Sequence, residues 1–174
     1  MWKKLVTAAG ISVALATGTG AVTSASGAEL TVDTFPVSFS MSSDHCSEMP
    51  EGSTVDGEGT MTVVVNTHTD KSGVTRINGT AQAWGVAHDG DGNQYQFHYA
   101  NIYRASNSSE NPDVYHGTMV DQFQISGTGP IHVSNGFRGT TVENFAAGTF
   151  SVDPIWIKGD PRTFPDLAVR CDPL

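Results

Sequence analysis

Positive charge is scarce in this sequence. Only 9 of its 174 residues are Lys or Arg, against 18 Asp and Glu, and the formal net charge at pH 7 is −9. So few cations cannot build a broad surface for phosphate groups or for anionic lipid head groups. We therefore expect neither a nucleic acid nor an anionic membrane as a partner, and we interpret the acidity as a contribution to solubility.

Long apolar runs are also scarce, and the one present follows Lys3 and Lys4 and ends near Val22. Small residues come next, at 26–28, as at a signal-peptide cleavage site. This order predicts a secretory signal peptide of bacterial type over residues 1–28 rather than a membrane span. Residues 29–174 are then predicted to be one secreted, extracellular domain, not inserted in a membrane once the signal peptide is removed.

Cysteine occurs only twice, at Cys46 and Cys171. Export to an oxidising environment favours a disulfide between them. Two separate thiols are the alternative, but they lack the C-x-x-C spacing of a redox site. The sequence thus predicts a bridge from the first strand region to the C-terminus.

Recognisable catalytic and metal-binding motifs are missing. The six histidines form no HExxH or HxH spacing, and no GxSxG element marks a nucleophilic serine. Asp89, Asp91 and Asn93 resemble the first half of a calcium loop, but Ala100 stands where that loop needs a bidentate Glu. The same residues suit a tight turn, so we predict a turn there, no metal site and no cofactor.

No stretch shows the apolar periodicity of an amphipathic helix. Apolar residues instead alternate with polar ones in short segments bounded by Gly, Pro, Asn and Asp, which is typical of half-buried strands. The predicted fold is all-β, a single antiparallel β-barrel of about seven or eight strands, with a β-sandwich as the alternative. The predicted strands cover residues 35–41, 60–69, 114–126, 131–133, 137–142 and 149–157 and a hairpin over 75–103, with a further turn at Asn135-Gly136.

The hairpin over residues 75–103 is the clearest of these elements. Gly90-Asp91 is a two-residue loop of the kind that suits primed turns. This loop places Trp84 opposite Phe97, so that the aromatic side chains of both strands gather on one face. That face is predicted to carry Thr80, Val86 and Tyr103 together with the eight residues Arg76, Asn78, Gln82, Trp84, Tyr95, Phe97, Tyr99 and Asn101.

This mixture of side chains favours a binding pocket. A core strand seldom carries Arg, Asn and Gln among its aromatic residues, whereas a ligand-holding barrel interior combines apolar walls with a few polar groups. We therefore predict that these eight residues bind a small, partly apolar ligand. The alternative is an ordinary core at the Trp84 end of the face that becomes solvent-exposed at the Arg76 end.

Two other functions stay open. In a cyclase- or isomerase-like barrel enzyme, the shape of the interior and one or two polar groups would guide the reaction. For the two carboxylates of glycoside hydrolysis, the best candidates are Asp121 and Glu143, because each interrupts an apolar stretch. The alternative is that these two residues lie at strand edges and have no catalytic role. An extracellular interaction or inhibitor protein would instead act through the predicted loops 42–59 and 105–113.

The leader, the two distant cysteines and the hairpin sequence Gly-Thr-Ala…Asp-Gly-Asp-Gly-Asn-x-Tyr-x-Phe resemble small secreted bacterial β-proteins. More distantly, the strand pattern is similar to calycin-like barrels, including the allene-oxide-cyclase type. The resemblance covers most of residues 29–174 at the level of pattern. It implies a barrel with a cavity and transfers no site residue.

Overall fold

A computed structural model of the protein describes residues 27–159, 171 and 174. Within them the chain forms seven β-strands and no helix, which confirms the all-β prediction. The strands are β1 (Gly27–Ser42), β2 (Thr54–Thr69), β3 (Thr75–Asp89), β4 (Gln94–Ser106), β5 (Val114–Gly127), β6 (Val133–Asn144) and β7 (Thr149–Lys158). The signal peptide predicted over residues 1–28 lies, except for its last two residues, outside the described residues. The described part of the chain holds no helix long and apolar enough to cross a membrane.

The strands form one antiparallel sheet in the order β1 to β7, so each strand pairs with its neighbours in sequence. Antiparallel neighbours need only a short turn between them, and short connections therefore favour this order. β1 and β7 are the two edges, and no ladder of hydrogen bonds joins them within residues 27–159. The described sheet is consequently not closed into a barrel.

The sheet is strongly curled. Phe39 on β1 lies edge-on against Phe97 on β4 and Phe123 on β5, with ring centroids 5.0 and 5.6 Å apart. Adjacent strands in a sheet lie about 4.8 Å apart, so side chains three and four strands away meet only if the sheet bends towards them. The sheet thus has a concave face, which carries these rings, and a convex outer face.

The predicted Cys46–Cys171 disulfide is confirmed. Cys46 lies in the loop 43–53 between β1 and β2, and Glu48 in the same loop accepts a 2.8 Å hydrogen bond from the backbone N–H of Ser134 on β6. Asn135, next along β6, donates from its side chain to the carbonyl of Cys171. The loop therefore fastens the β1 side of the curled sheet to the β6 side.

Some predicted boundaries are wrong. β1 begins at Gly27 rather than at residue 35, because its first half pairs with β2 as far as Thr69. The loops are shorter than expected, at 43–53 and 107–113, because β2 already begins at Thr54 and β4 continues to Ser106. The turn predicted at Asn135-Gly136 is instead inside β6, where both residues are buried.

Candidate functional site

The β3–β4 hairpin has a longer loop than predicted. The loop is Gly90-Asp91-Gly92, closed by a 3.3 Å hydrogen bond from Asp89 N to Asn93 O. Gly92 has a φ of +82° and donates its N–H to Asp89 O at 3.1 Å. A turn followed by a left-handed glycine is common in three-residue hairpin loops. The predicted two-residue Gly90-Asp91 loop is therefore wrong.

The Asp89 carboxylate holds this loop in place. It accepts hydrogen bonds from the backbone of Asp91 (3.0 Å) and Asn93 (2.8 Å), from Asn93 Nδ2 (2.9 Å) and from Tyr95 Oη (2.8 Å). These bonds, that of the Asn93 side chain above all, lower the pKa of Asp89. The calcium-like spacing thus belongs to a turn, as predicted. Among the described residues, no three His, Cys, Asp or Glu side chains group as metal ligands.

Asp70 plays the same part in the β2–β3 turn. Its Oδ1 accepts from the backbone N–H groups of Ser72 and Val74 at 3.0 and 3.1 Å, and its Oδ2 pairs with Arg76 Nη1 at 3.1 Å. The Ser72 hydroxyl is the main cause that lowers the pKa of Asp70 to about 2. Arg76 is accordingly paired and half exposed to solvent, at the end of the sheet opposite the Asp89 loop.

The longer loop shifts the strand register by one residue. Trp84 pairs with His98 instead of Phe97. The physical reason is size, because each aromatic ring of β4 faces a small residue of β3. A β-carbon on Gly85, for example, would come within 2.6 Å of the ring of Phe97. The pairs are Tyr95–Ala87, Phe97–Gly85, Tyr99–Ala83 and Tyr103–Gly79.

The register divides the predicted binding face in two. On β3 the small residues point to the concave face, and the predicted site residues of that strand lie exposed on the convex outer face. On β4 the predicted site residues are buried on the concave face. The prediction that all eight residues share one face is therefore wrong. The outer group is Arg76, Asn78, Gln82 and Trp84, and the concave group is Tyr95, Phe97, Tyr99 and Asn101.

At the Asp89 end, the concave face is a packed core. Tyr95 and Phe97 are 1% and 2% exposed, and the rings of Phe97 and Phe123 stack with centroids 6.3 Å apart. Phe39 covers both rings from β1. This half of the sheet gives stability, and Tyr95 and Phe97 are core residues.

A polar row crosses the middle of the concave face. Asp121 on β5 lies directly opposite Asn101 on β4, and its Oδ2 accepts from Asn101 Nδ2 at 3.1 Å and from Tyr99 Oη at 3.3 Å. All three side chains are at most 7% exposed. The Oδ1 of Asn101 is buried and has no hydrogen-bond partner among the described residues. Such a group costs about 1–3 kcal/mol unless something pairs with it.

A second polar pair lies further from the packed core. Tyr103 Oη on β4 donates to Glu143 Oε2 on β6 at 3.2 Å. Burial raises the pKa of Glu143, although the Tyr103 hydrogen bond acts in the other direction. Burial, followed by the charge of Glu143, raises the pKa of Tyr103. Each group thus keeps its proton to a higher pH than it would in water.

The concave face is less covered beside these polar groups. Val63 and Val65 on β2 and Met119 on β5 are only half-buried. Towards the two sheet edges, Phe35 on β1 is 42% exposed and Ile157 on β7 is 52% exposed. The polar row therefore has apolar side chains on both sides of it along the concave face. These apolar side chains remain partly accessible to solvent.

The outer face carries a different set of groups. Trp84 is 53% exposed in the middle of the sheet. Towards the β2–β3 turn lies a shallow crevice of about 240 Å³, lined by Arg76, Asn78, Arg104 and His116 together with Ile77, Ala105 and Ser106. Four of the eight predicted site residues, Trp84 among them, thus remain available to a partner, but on the convex side of the sheet.

Sequence reasoning recovered part of this arrangement. Asp121 and Glu143 were singled out because they interrupt apolar stretches, and the structure places both on the concave face. Tyr103 and Asn135, which also lie on that face, were not included in the predicted site. The alternation of Tyr95, Tyr99 and Tyr103 along β4 does place Tyr103 on the predicted face, since all three share one side of the strand.

Comparison with protein-family models, with curated proteins and with solved structures finds no match to this chain. The resemblance to calycin-like barrels therefore stays a prediction.

Proposed function

We propose that the protein is an extracellular β-barrel that binds a small, partly apolar ligand on the concave face of its sheet. The binding group is a revised set of residues, namely Tyr99, Asn101, Asp121, Tyr103 and Glu143. The disulfide supports export, because such bridges persist in oxidising environments. The contacts of Phe39 across the concave face support a barrel over a sandwich, since they bend one sheet towards its own far strands.

The observation that carries this proposal is the buried amide oxygen of Asn101. Its neighbour Asp121 already takes the Asn101 N–H, so the oxygen is left to accept from another donor. A ligand hydroxyl or amine would supply that donor, and Val63 and Met119 would contact the apolar part of the same molecule. The polar row thus selects a ligand with one donor group on an apolar body.

A neutral amphiphile with one donor tests the proposal. N-phenyl-1-naphthylamine carries a single N–H on two aromatic groups and fluoresces when it leaves water. We expect saturable binding to the exported protein, and a dissociation constant about tenfold higher for Asn101→Ala, which corresponds to about 1.4 kcal/mol. Asn78→Ala is the matched control, because it removes the same side chain from the outer face of β3.

Two results would contradict this proposal. The first is the absence of saturable fluorescence in a protein whose circular dichroism and melting temperature show that it is folded. The second is an equal loss of affinity in the Asn78 and Asn101 variants, which would place the dye outside the polar row.

An enzyme of the cyclase or isomerase kind is the second candidate, and the Tyr103–Glu143 pair favours it. A carboxyl group whose pKa burial raises, next to a phenol, is a pair that general acid–base catalysis can use. If the protein turns its ligand over, a captured ligand should change into an isomer on incubation, and Glu143→Gln should stop the change while binding persists. Unchanged conversion by Glu143→Gln would remove this candidate.

A further inference from the structure

One carboxylate on the concave face lies among aromatic side chains. Glu143 on β6 is half-buried, and its direct neighbours across the strands are Tyr115 on β5 and Phe150 on β7. Directly opposed residues of an antiparallel pair share a face of the sheet, so all three point to the concave side. Tyr103 on β4 reaches the same carboxylate, since its Oη donates to Glu143 Oε2 at 3.2 Å. We use the name Glu143 site for Glu143, Tyr103, Tyr115 and Phe150.

The two faces of the sheet carry charges of different sign. The Lys and Arg side chains of residues 27–159 lie on the outer face or in a turn: Lys71, Arg76, Arg104, Arg138 and Lys158. The histidines within strands lie on the outer face as well. The charged side chains directed to the concave side are carboxylates: Glu29, Asp33, Asp89, Asp121 and Glu143. Within residues 27–159, no Lys or Arg therefore shares the concave face with Glu143.

Glu143 lacks a partner of opposite charge in the described part of the chain. Its one hydrogen bond there comes from the neutral phenol of Tyr103, and the ion pair found there joins Arg76 to Asp70. A carboxylate that is partly removed from water is unfavourable unless it is paired, and burial accordingly raises the pKa of Glu143. A cation at the Glu143 site would offset this cost, because a hydrogen bond between two charged groups is stronger than one between neutral groups.

The aromatic rings restrict this cation to an organic one. Ca²⁺ and Mg²⁺ need about six or more oxygen ligands, and no three His, Cys, Asp or Glu side chains of the described residues group as metal ligands. An ammonium group is attracted both to a carboxylate and to the faces of Tyr and Phe rings. The ring of Tyr115 is held by Phe145, which packs edge-on against it with centroids 5.1 Å apart. The Glu143 site thus matches an ammonium group better than a metal ion.

Apolar side chains beside the Glu143 site indicate what the ammonium group is attached to. Val65 on β2 and Met119 on β5 are only half-buried, and they pack in the same cluster as Tyr103 and Tyr115. Small-molecule sites commonly combine such apolar walls with one or a few placed polar groups. The hydrocarbon part of a ligand would contact Val65 and Met119 while its charged end meets Glu143.

We propose that the ligand of the concave face is an organic ammonium ion, a protonated amine on an apolar body, and that Glu143 binds its charge. This inference rests on the proposed function, because it narrows the ligand of the same face from any molecule with one donor to a cation.

Two probes of nearly equal size separate charge from shape. Tryptamine is protonated at neutral pH, and tryptophol carries a neutral hydroxyl in place of the ammonium group. Isothermal titration calorimetry of the exported protein should give a dissociation constant about tenfold lower for tryptamine, because its hydrogen bond joins two charged groups. Glu143→Gln should remove this preference, so that the two probes bind about equally.

Two further variants complete the experiment. Glu58→Gln is the matched control, because it removes one negative charge from the outer face of β2, and the preference for tryptamine should persist in it. Phe150→Leu replaces a ring that is 41% exposed with another apolar side chain. It should weaken the binding of tryptamine about threefold and that of tryptophol less, since only the cation is attracted to the ring face.

Three results would overturn the ammonium proposal while saturable binding of N-phenyl-1-naphthylamine leaves the proposed function intact. The first is that tryptamine binds no more tightly than tryptophol. The second is an equal loss of the preference in Glu58→Gln and Glu143→Gln, which would assign it to the net charge of the chain. The third is an equal effect of Phe150→Leu on both probes, which decides the matter if Glu143→Gln does not fold. Absence of binding of all three compounds to the folded protein would instead contradict the proposed function itself.

Discussion

The loop Gly90-Asp91-Gly92 offers a direct test of the strand register. Gly92 has a φ of +82°, a region in which a β-carbon costs about 1–2 kcal/mol. Gly90 is not among the glycines with positive φ, and no atom lies within 4 Å of a β-carbon built there. Gly90→Ala and Gly92→Ala are therefore matched substitutions, two residues apart, that differ in backbone conformation.

The structure predicts opposite signs for these two changes. Gly92→Ala should lower the free energy of unfolding by about 1–2 kcal/mol, which lowers the melting temperature by about 2–8 °C in a domain of this size. Gly90→Ala should be neutral or raise stability by up to about 1 kcal/mol, because alanine restricts the unfolded chain. Urea titration of both variants, followed by circular dichroism, measures the difference.

A larger loss in Gly90→Ala than in Gly92→Ala would refute this reasoning. It would show that the strained position is the first residue of the loop, as in a two-residue turn. Trp84 would then face Phe97, and the division of the eight predicted site residues between two faces would have to be withdrawn.

Two further predictions concern stability. The Cys46–Cys171 bridge joins residues 125 positions apart. On the chain-entropy model, the double variant Cys46→Ser and Cys171→Ser should therefore lose about 4–5 kcal/mol of the free energy of unfolding, as measured by urea titration. An unchanged urea midpoint would contradict that model here. The pKa values of Asp70 and Asp89 are lower in the folded protein than the usual 3.8, so both carboxylates favour folding above about pH 4, and this contribution is lost as pH falls towards 2. Asp70→Asn and Asp89→Asn should therefore flatten the dependence of melting temperature on pH between 2 and 4. If plots of melting temperature against pH for the variants run parallel to that of the unmodified protein, these two turns do not govern its acid sensitivity.

The all-β class and the disulfide could be predicted from the sequence because each depends on local signals. Strands follow from alternating apolar residues, and two cysteines allow one intramolecular bridge. The bounds of β1 were harder to predict, because Gly27–Phe35 is exposed on both faces and so shows no alternation of buried and exposed residues. Its strand conformation depends on pairing with β2, which is a tertiary effect.

The site was harder to predict than the fold, because a shift of one residue moves every side chain to the other face. We assumed that aromatic residues of β3 and β4 would face each other. In the structure, Trp84 faces solvent, while Ala83 and Gly85 on either side of it face the core and leave room for Tyr99 and Phe97. Small residues at alternate positions were the better sign of burial in this hairpin, because a ring on the next strand needs space opposite it.

The strictly sequential strand order bears on how this chain reaches its native state. Each hairpin can form from residues close together in sequence, so the ends of most closing loops are already near each other and the entropic cost of each step is low. The cysteines are the exception, because they approach only after the strands between them have assembled and curled. Oxidation then joins two residues of an assembled sheet, and since the chain has only two cysteines, no wrong intramolecular bridge competes with the correct one. The chain should therefore refold from the reduced, unfolded state without a disulfide isomerase.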